Sequence, residues 1–187
     1  VFDFWKVRGS WTQTKSDLSV YETNNAFSIS NNLFNGSSAA YYPTSIRGVS
    51  VLPSATRSYE LGTAVNLFKN RLKVDFTYYN KLYYNLTRQA GISEASGFGS
   101  TLINIDEEQL RKGFEITLSG DIIRTKDWNW NSMFNWSRDR YYYSQVDPVY
   151  STQKPWVKAG ERWDWYGVYD WERDPEGNII HEAGYPV

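Results

Sequence analysis

The sequence predicts an all-β fold of antiparallel, up-and-down strands with long loops on one side, arranged as part of a transmembrane β-barrel. Three observations support this fold class. Apolar and polar residues alternate with a period of two in every strongly patterned segment. The connections between these segments alternate between short and long. Aromatic residues make up 18% of the chain and gather near the predicted strand ends, as they do at the interfaces of membrane barrels.

Five strands are predicted, in two hairpins and one single strand. The single strand covers residues 4–14, with Trp5, Val7, Gly9 and Trp11 on its apolar face. Strands at 57–68 and 71–81 form a hairpin around Lys69 and Asn70. Strands at 112–123 and 128–138 form a second hairpin across the short polar link 124–127. Each is close to the roughly 9 to 11 residues that a tilted transmembrane strand needs.

Long loops are predicted at residues 15–56, 87–110 and 144–187. They are far longer than the roughly 2 to 5 residues of a usual hairpin connection. Short turns at one end of a sheet and long loops at the other are typical of outer-membrane barrels. Because five strands cannot close such a barrel, we expect a piece of a larger sheet. A soluble antiparallel sheet with one packed face would show the same alternation, and the pattern alone supports both about equally.

Composition excludes several classes of function. With 20 Lys and Arg against 21 Asp and Glu, the net charge of -1 gives no basic field for nucleic acid. The chain has no Cys, which excludes disulfides, thiolate zinc sites and a cysteine nucleophile. No run approaches the roughly 18 apolar residues of a membrane-spanning helix. The chain starts without Met or a signal-peptide pattern, so we expect it to be excised from a longer protein.

No convincing catalytic or metal constellation is found in the sequence. The single histidine, His181, lies in a polar terminal loop, which disfavours a Ser-His-Asp arrangement. Carboxylates at Asp170, Glu172, Asp174 and Glu176 alternate somewhat like a calcium loop, but Pro175 stands where an EF-hand needs glycine. We therefore expect no enzyme activity, no cofactor and no metal site, with calcium in this loop disfavoured.

The aromatic-rich segment from Tyr141 to Trp171 is the best candidate for ligand or partner contact. Tyr and Trp offer large flat faces that stack on sugars or anchor proteins at a low cost in rotamer entropy. An equally simple interpretation is that these rings pack on one another to shape a long loop. The candidates are Tyr142, Tyr143, Trp156, Trp163, Trp165, Tyr166, Tyr169 and Trp171.

Several strings, in order along the chain, carry a family resemblance. They are 57–62 (RSYELG), 68–72 (FKNRL), 75–81 (DFTYYNK), 96–98 (SGF), 112–116 (KGFEI), 125–130 (TKDWNW), 134–137 (FNWS), 160–167 (GE to YG) and 174–178 (DPEGN). Taken together, the chain resembles the later part of the barrel of the SusC/RagA family of TonB-dependent outer-membrane transporters. Residues 104–106 and 168–171 depart from the family pattern and put only loop conformation in doubt. The family's plug and TonB-contacting segment have no counterpart among these strings.

The resemblance implies import of glycan or peptide fragments across the outer membrane, with TonB and a SusD-like lipoprotein as partners. The late aromatic loop would then face outside. Polar side chains facing the lumen would be Lys6, Arg8, Glu60, Lys73, Asp75 and Glu115. Lipid would meet Trp5, Trp11, Leu61, Val65, Val74, Phe76, Phe114, Ile116, Leu118, Phe134 and Trp136. The alternative from another class is a soluble β-sandwich module that binds carbohydrate through its aromatic loops. An all-β hydrolase lacks a supporting constellation.

Overall fold

A computed structural model describes residues 2–32, 35–47, 50–164 and 170–186. Its main feature is one antiparallel sheet of five long strands in the order β1-β5-β6-β9-β10. These strands are β1 (Phe2–Ser16), β5 (Ser54–Leu67), β6 (Leu72–Tyr84), β9 (Glu108–Arg124) and β10 (Asn129–Gln145). Because neighbours in the sheet follow one another along the chain, the topology is up-and-down. The all-β, antiparallel fold class predicted from the sequence is confirmed.

The long strands differ from the predicted ones mainly at their ends. Strand β10 continues to Gln145, seven residues beyond the expected end at 138, and β9 begins at Glu108 instead of 112. The alternation fades here because tyrosines fill three consecutive positions, 141–143, and both faces carry charged residues. The backbone ladder nevertheless continues, with Tyr143 opposite Gln109. Pairing with a neighbouring strand therefore extends the sheet where side-chain pattern gives no signal.

Both short connections lie at one end of the sheet, which we call the turn end. The first is tight because Phe68, Lys69 and Asn70 all adopt positive φ angles, of 58°, 57° and 62°. The Asn70 amide also donates to the Asp3 carboxylate at 2.9 Å, which fastens the turn to β1. In the second turn the Thr125 amide donates to the Trp128 carbonyl at 2.8 Å. The opposite end, where the long connections leave the sheet, is the loop end.

The long connections contain short strands that the sequence did not predict. These are β2 (Ser28–Ile29), β3 (Ala40–Tyr41), β4 (Ser45–Ile46), β7 (Leu86–Gly91), β8 (Ser100–Ile105), β11 (His181–Glu182) and β12 (Tyr185–Pro186), with a 3₁₀ turn at Glu94–Ser96. Within the long loop predicted at 87–110, β7 and β8 form a hairpin, to which β4 adds a third strand. Their short alternations are too brief to stand out in a single sequence.

Buried apolar residues are few and small. Among the described residues, those most buried are Ala55 in β5, Ala90 in β7, and Leu102 and Ile105 in β8. A two-layer soluble sandwich instead buries large side chains between facing sheets. In the described part of the chain no helix is long and apolar enough to span a membrane.

Candidate functional site

One face of the main sheet is apolar, and it carries all eleven residues predicted to meet lipid. The strand register places Val65, Val74, Leu118 and Phe134 in one row across four strands. The next row contains Phe76, Ile116 and Trp136. Rings also pack between rows, since the ring centres of Phe114 and Trp136 are 5.1 Å apart. We call this surface the apolar face. Five of the eleven predicted residues are more than half exposed: Trp5, Trp11, Leu61, Phe134 and Trp136.

Two polar groups on the apolar face, on Trp5 and Thr63, are satisfied locally. The Trp5 indole N–H donates to the Thr63 hydroxyl at 2.9 Å, and that hydroxyl donates to the Lys6 carbonyl at 3.2 Å. The indole and hydroxyl protons thus both find acceptors without water. In hydrocarbon an unsatisfied polar group costs several kcal/mol, so this arrangement suits a lipid-facing surface.

The opposite, polar face is held together by side chains that cross neighbouring strands. Arg8 on β1 reaches over β5 to Asp75 on β6, with its Nη1 at 2.8 Å from Oδ2 and its Nη2 also bonded to Oδ1. Nη2 donates to the Thr77 hydroxyl at 2.8 Å. The path is open because Gly62 lies beneath it, where a Cβ atom would be only 2.6 Å from Arg8 Nε.

A second crossing of the polar face repeats this arrangement between β6 and β10. Asp139 accepts from Arg111, with Nε at 2.9 Å and Nη2 at 2.7 Å from Oδ2, and from the Tyr79 hydroxyl. Tyr79 lies over Gly113, where a Cβ atom would be 2.8 Å from the ring carbon Cζ. The same Cβ atom would be 2.3 Å from the Arg138 carbonyl oxygen, so only glycine fits.

Towards the loop end, the polar face becomes an aromatic and charged surface. The Arg111 guanidinium lies 5.1 Å from the Tyr141 ring centre, and Tyr141 stacks on Trp163 at 5.3 Å. Trp163 reaches this position because the late loop returns along β10, with its amide donating to the Tyr141 carbonyl at 3.1 Å. Lys81 also lies on this face, 3.5 Å from Glu60. We call Tyr79, Arg111, Asp139, Tyr141, Tyr143 and Trp163 the mouth cluster.

The predicted loop candidates do not form one group. Tyr143 and Trp163 lie in the mouth cluster, whereas Tyr142 points to the apolar face, with Lys112 Nζ 4.5 Å from its ring centre. Both tyrosines belong to β10 and not to a loop, so adjacent positions fall on opposite faces. Trp156 and Trp171 are exposed elsewhere in the late loop. Trp165, Tyr166 and Tyr169 lie outside the described residues.

All six residues expected on the lumen side lie opposite the apolar face. The sequence analysis did not single out Tyr79, Arg111 or Asp139, and it included Tyr141 only as the first residue of the aromatic-rich segment. Arg111 lies one residue before the predicted strand 112–123, and Asp139 lies one residue after the predicted strand 128–138. Carrying the period of two beyond those ends would have placed both on the polar face with Asp75 and Glu115.

A buried hydrogen-bond network connects the late loop to the residues just before β9. Asp147, Ser151 and Glu107 are 6%, 3% and 8% exposed. The Ser151 hydroxyl accepts from the Asp147 amide at 3.0 Å and donates to Glu107 at 2.5 Å. Backbone N–H groups of Tyr150, Asp106 and Val149 donate to the Asp147 carboxylate and hold its pKa below the usual range.

The acidic run that resembles a calcium loop serves to close a turn. Asp174 accepts from the Asn178 side chain at 3.0 Å and from its backbone amide at 2.7 Å, and these bonds lower the pKa of Asp174. Within the described ranges, no group of three or more His, Asp or Glu side chains is arranged to hold a metal ion.

Comparison with known proteins gives the family. A scan against models of protein families finds no match. The TonB-dependent receptor P3 of Formosa agariphila is 30% identical over 142 residues, which are 73% of this chain and 14% of that receptor. The chain belongs to the TonB-dependent receptors. The TonB-dependent receptor P26 of the same species is 30% identical over 77 residues, covering 41% of this chain and 8% of the relative.

Solved structures agree with this family. The RagAB peptide importer in its open-open state superposes with a TM-score of 0.65 at 18% identity, covering 78% of this chain and 16% of that one. A structure of the RagAB peptide transporter gives a TM-score of 0.64 at 20% identity, covering 81% and 16%. At these identities the likeness shows the fold, and this fold agrees with the predicted resemblance to the SusC/RagA family. This TonB-dependent receptor chain spans a small share of its relatives, which are named as receptors and importers and not as enzymes.

Proposed function

We propose that the chain forms part of the barrel wall of an outer-membrane importer, with the apolar face against lipid and the polar face lining the lumen. One observation carries this proposal: all eleven apolar candidates share one exposed face, and all six charged residues expected to line the lumen lie on the other. A water-soluble sandwich would need a second layer over the apolar face. The described residues supply no such layer, and this disfavours the carbohydrate-binding module.

The mouth cluster is proposed to contact the imported nutrient as it enters. Its charged pair, Arg111 and Asp139, can bind the termini and peptide groups of short peptides, and its stacked rings can also hold a sugar. Peptide is the favoured substrate class because RagAB is a peptide importer and the cluster combines both charge signs. By the same family relation, we infer a SusD-like lipoprotein outside the membrane and TonB inside.

Two experiments test this proposal. An antibody against this chain should detect the full-length protein in the outer-membrane fraction, as a band whose gel mobility changes on boiling. A water-soluble band near the mass of this chain alone would overturn the membrane assignment.

Uptake of labelled peptide mixtures and of oligosaccharides by cells that carry the full-length protein tests the substrate class. Trp163→Ala should reduce peptide uptake, and Trp156→Ala is a matched control because both rings are 40% exposed. If the cells take up oligosaccharides but no peptides, the substrate class is glycan and the peptide assignment is wrong.

A further inference from the structure

The apolar face changes character as it approaches the loop end. Along β10, Phe134 and Trp136 are followed on the same face by Arg138 and Arg140. Arg138 pairs with Phe114, and Arg140 pairs with Lys112 on β9. Three cations are thus grouped on this side of the sheet, next to the apolar face. We call Lys112, Arg138 and Arg140 the basic cluster.

The basic cluster lacks acidic partners of the kind that Arg8, Lys81 and Arg111 have on the polar face. Among the described residues, no carboxylate lies within 4 Å of these three side chains, whereas Arg8, Lys81 and Arg111 each have one. Asp139 lies next to Arg140 in sequence but points to the other face. Asp164 is near Arg140, but its carboxylate is engaged by Arg162 through bonds of 2.8 and 2.7 Å. Arg140 also donates to the Asp139 carbonyl at 2.9 Å. Among the described residues, the cluster therefore has three positive charges without a direct ion pair.

The cluster surrounds a shallow hollow with an apolar floor. The hollow has a volume of about 220 Å³, and its lining includes Tyr78, Phe114 and Tyr142 besides the three cations. Phe114 continues directly into the apolar face through its contact with Trp136. An amphiphile whose anionic head lies between the cations could therefore lay its tail on the rings below.

The position of the cluster matches the edge of a membrane. Lys112 is in register with Asn80, eight residues along β6 from Leu72 at the turn end. Eight residues span roughly 27 Å along a strand, or roughly 20 Å across the bilayer at a tilt of about 40°. The apolar band of a membrane barrel is about 25 Å tall. The backbone of the cluster consequently lies in the loop-side part of this band, where long cationic side chains can extend to the headgroups.

We propose that Lys112, Arg138 and Arg140 bind the phosphate of a lipid headgroup in the leaflet on the loop side, a site that rests on the proposed membrane orientation. Arginine binds phosphate through parallel N–H donors, and Lys adds a point charge. Tyr78 and Tyr142 are the amphipathic rings that favour this depth. A lipid is favoured over a free anion because the cations adjoin an apolar surface suited to acyl chains.

Native mass spectrometry of the full-length protein in neutral detergent tests this site. Phosphatidylglycerol should bind at least tenfold more tightly than phosphatidylcholine of the same acyl chains. The variant R138Q/R140Q should lose most of that preference. The control K6Q/K73Q removes the same charge from the polar face and should bind like the wild type. Equal binding by R138Q/R140Q and wild type would overturn the proposal.

Two further results separate this site from its alternatives. If inorganic phosphate displaces the lipid as well as phosphatidylglycerol itself does, the site takes a free anion and the lipid assignment is wrong. If the boiled and unboiled protein migrate alike and the protein is soluble without detergent, the membrane orientation fails. Failure of lipid preference in a heat-modifiable membrane protein overturns the headgroup site alone.

Discussion

The two faces of the main sheet differ in how their side chains are satisfied. On the polar face, Arg8 and Arg111 reach carboxylates on other strands, and Gly62 and Gly113 leave room for Arg8 and for Tyr79 to cross. The apolar face has large exposed rings and no covering layer among the described residues. Charged groups such as Arg8 and Arg111 therefore find partners within the polar face, whereas the exposed rings of the apolar face have no covering partner in the described part of the chain.

This difference shows that alternation alone does not define a membrane strand. A soluble sheet covers its apolar face with protein, and its polar face needs only water. Here the polar face is tied by cross-strand pairs, although pairs this exposed contribute little stability each. Their principal effect is to fix side chains lining the proposed lumen.

The largest effect is expected from placing a charge on the apolar face. Ile116→Arg in the full-length protein should cost about 2 to 4 kcal/mol of folding free energy in a bilayer, because the guanidinium would enter hydrocarbon. Thr117→Arg, the adjacent position on the polar face, should change much less. Urea titration of folding into vesicles measures both. Equal losses for the pair would contradict the assignment of faces.

Glycine substitutions should distinguish the faces by packing. Gly113→Ala forces a methyl group against the Arg138 carbonyl and the Tyr79 ring, and should cost roughly 1 to 3 kcal/mol. Gly9→Ala on the apolar face is the control, since the nearest atom to its added methyl would be 3.9 Å away. The same urea titration should show a lower midpoint for the first variant only. A normal midpoint for Gly113→Ala would refute the close crossing of Tyr79.

Breaking one cross-strand pair should have a small effect. Asp75→Asn leaves Arg8 with a neutral acceptor, and since both side chains are about two-fifths exposed, we expect a loss of about 0 to 1 kcal/mol. A double-mutant cycle with Arg8→Gln measures the coupling between them. A coupling well above this range would show that the polar face is drier than its exposure indicates.

The smallest effect is local and depends on pH. Because backbone N–H groups lower the pKa of Asp147, its contribution to stability is complete above the ordinary carboxyl pKa of about 4. That contribution is lost as the pH falls through the lowered pKa in the folded state. Exchange of the Val149 and Tyr150 amides should therefore accelerate at acid pH relative to intrinsic rates. In Asp147→Asn these amides should be weakly protected from exchange already at neutral pH, and their exchange should not accelerate further at acid pH relative to intrinsic rates.

The sequence predicted those strands of the sheet whose residues alternate between an apolar face and a polar face. Residues such as Val74, Asp75 and Phe76 alternate clearly, so both the strand and its faces could be identified. Arg111 and Asp139 could have been placed by the same period, but the tyrosines of the mouth cluster could not, because Tyr141, Tyr142 and Tyr143 are chemically alike and only the backbone decides which ring points where. Trp163 joins the cluster through a long loop return, and single-sequence periodicity contains no information about such a contact. The hairpin β7-β8 was missed because each strand is short.

The most direct test labels two neighbouring positions on β9 in a cysteine-free full-length protein in vesicles. Leu118→Cys and Ser119→Cys place a spin label on the apolar face and the polar face, respectively. We predict that the first label collides mainly with oxygen dissolved in lipid, and the second mainly with an aqueous nickel complex. If both labels respond alike, or the preferences are reversed, the apolar face does not meet lipid.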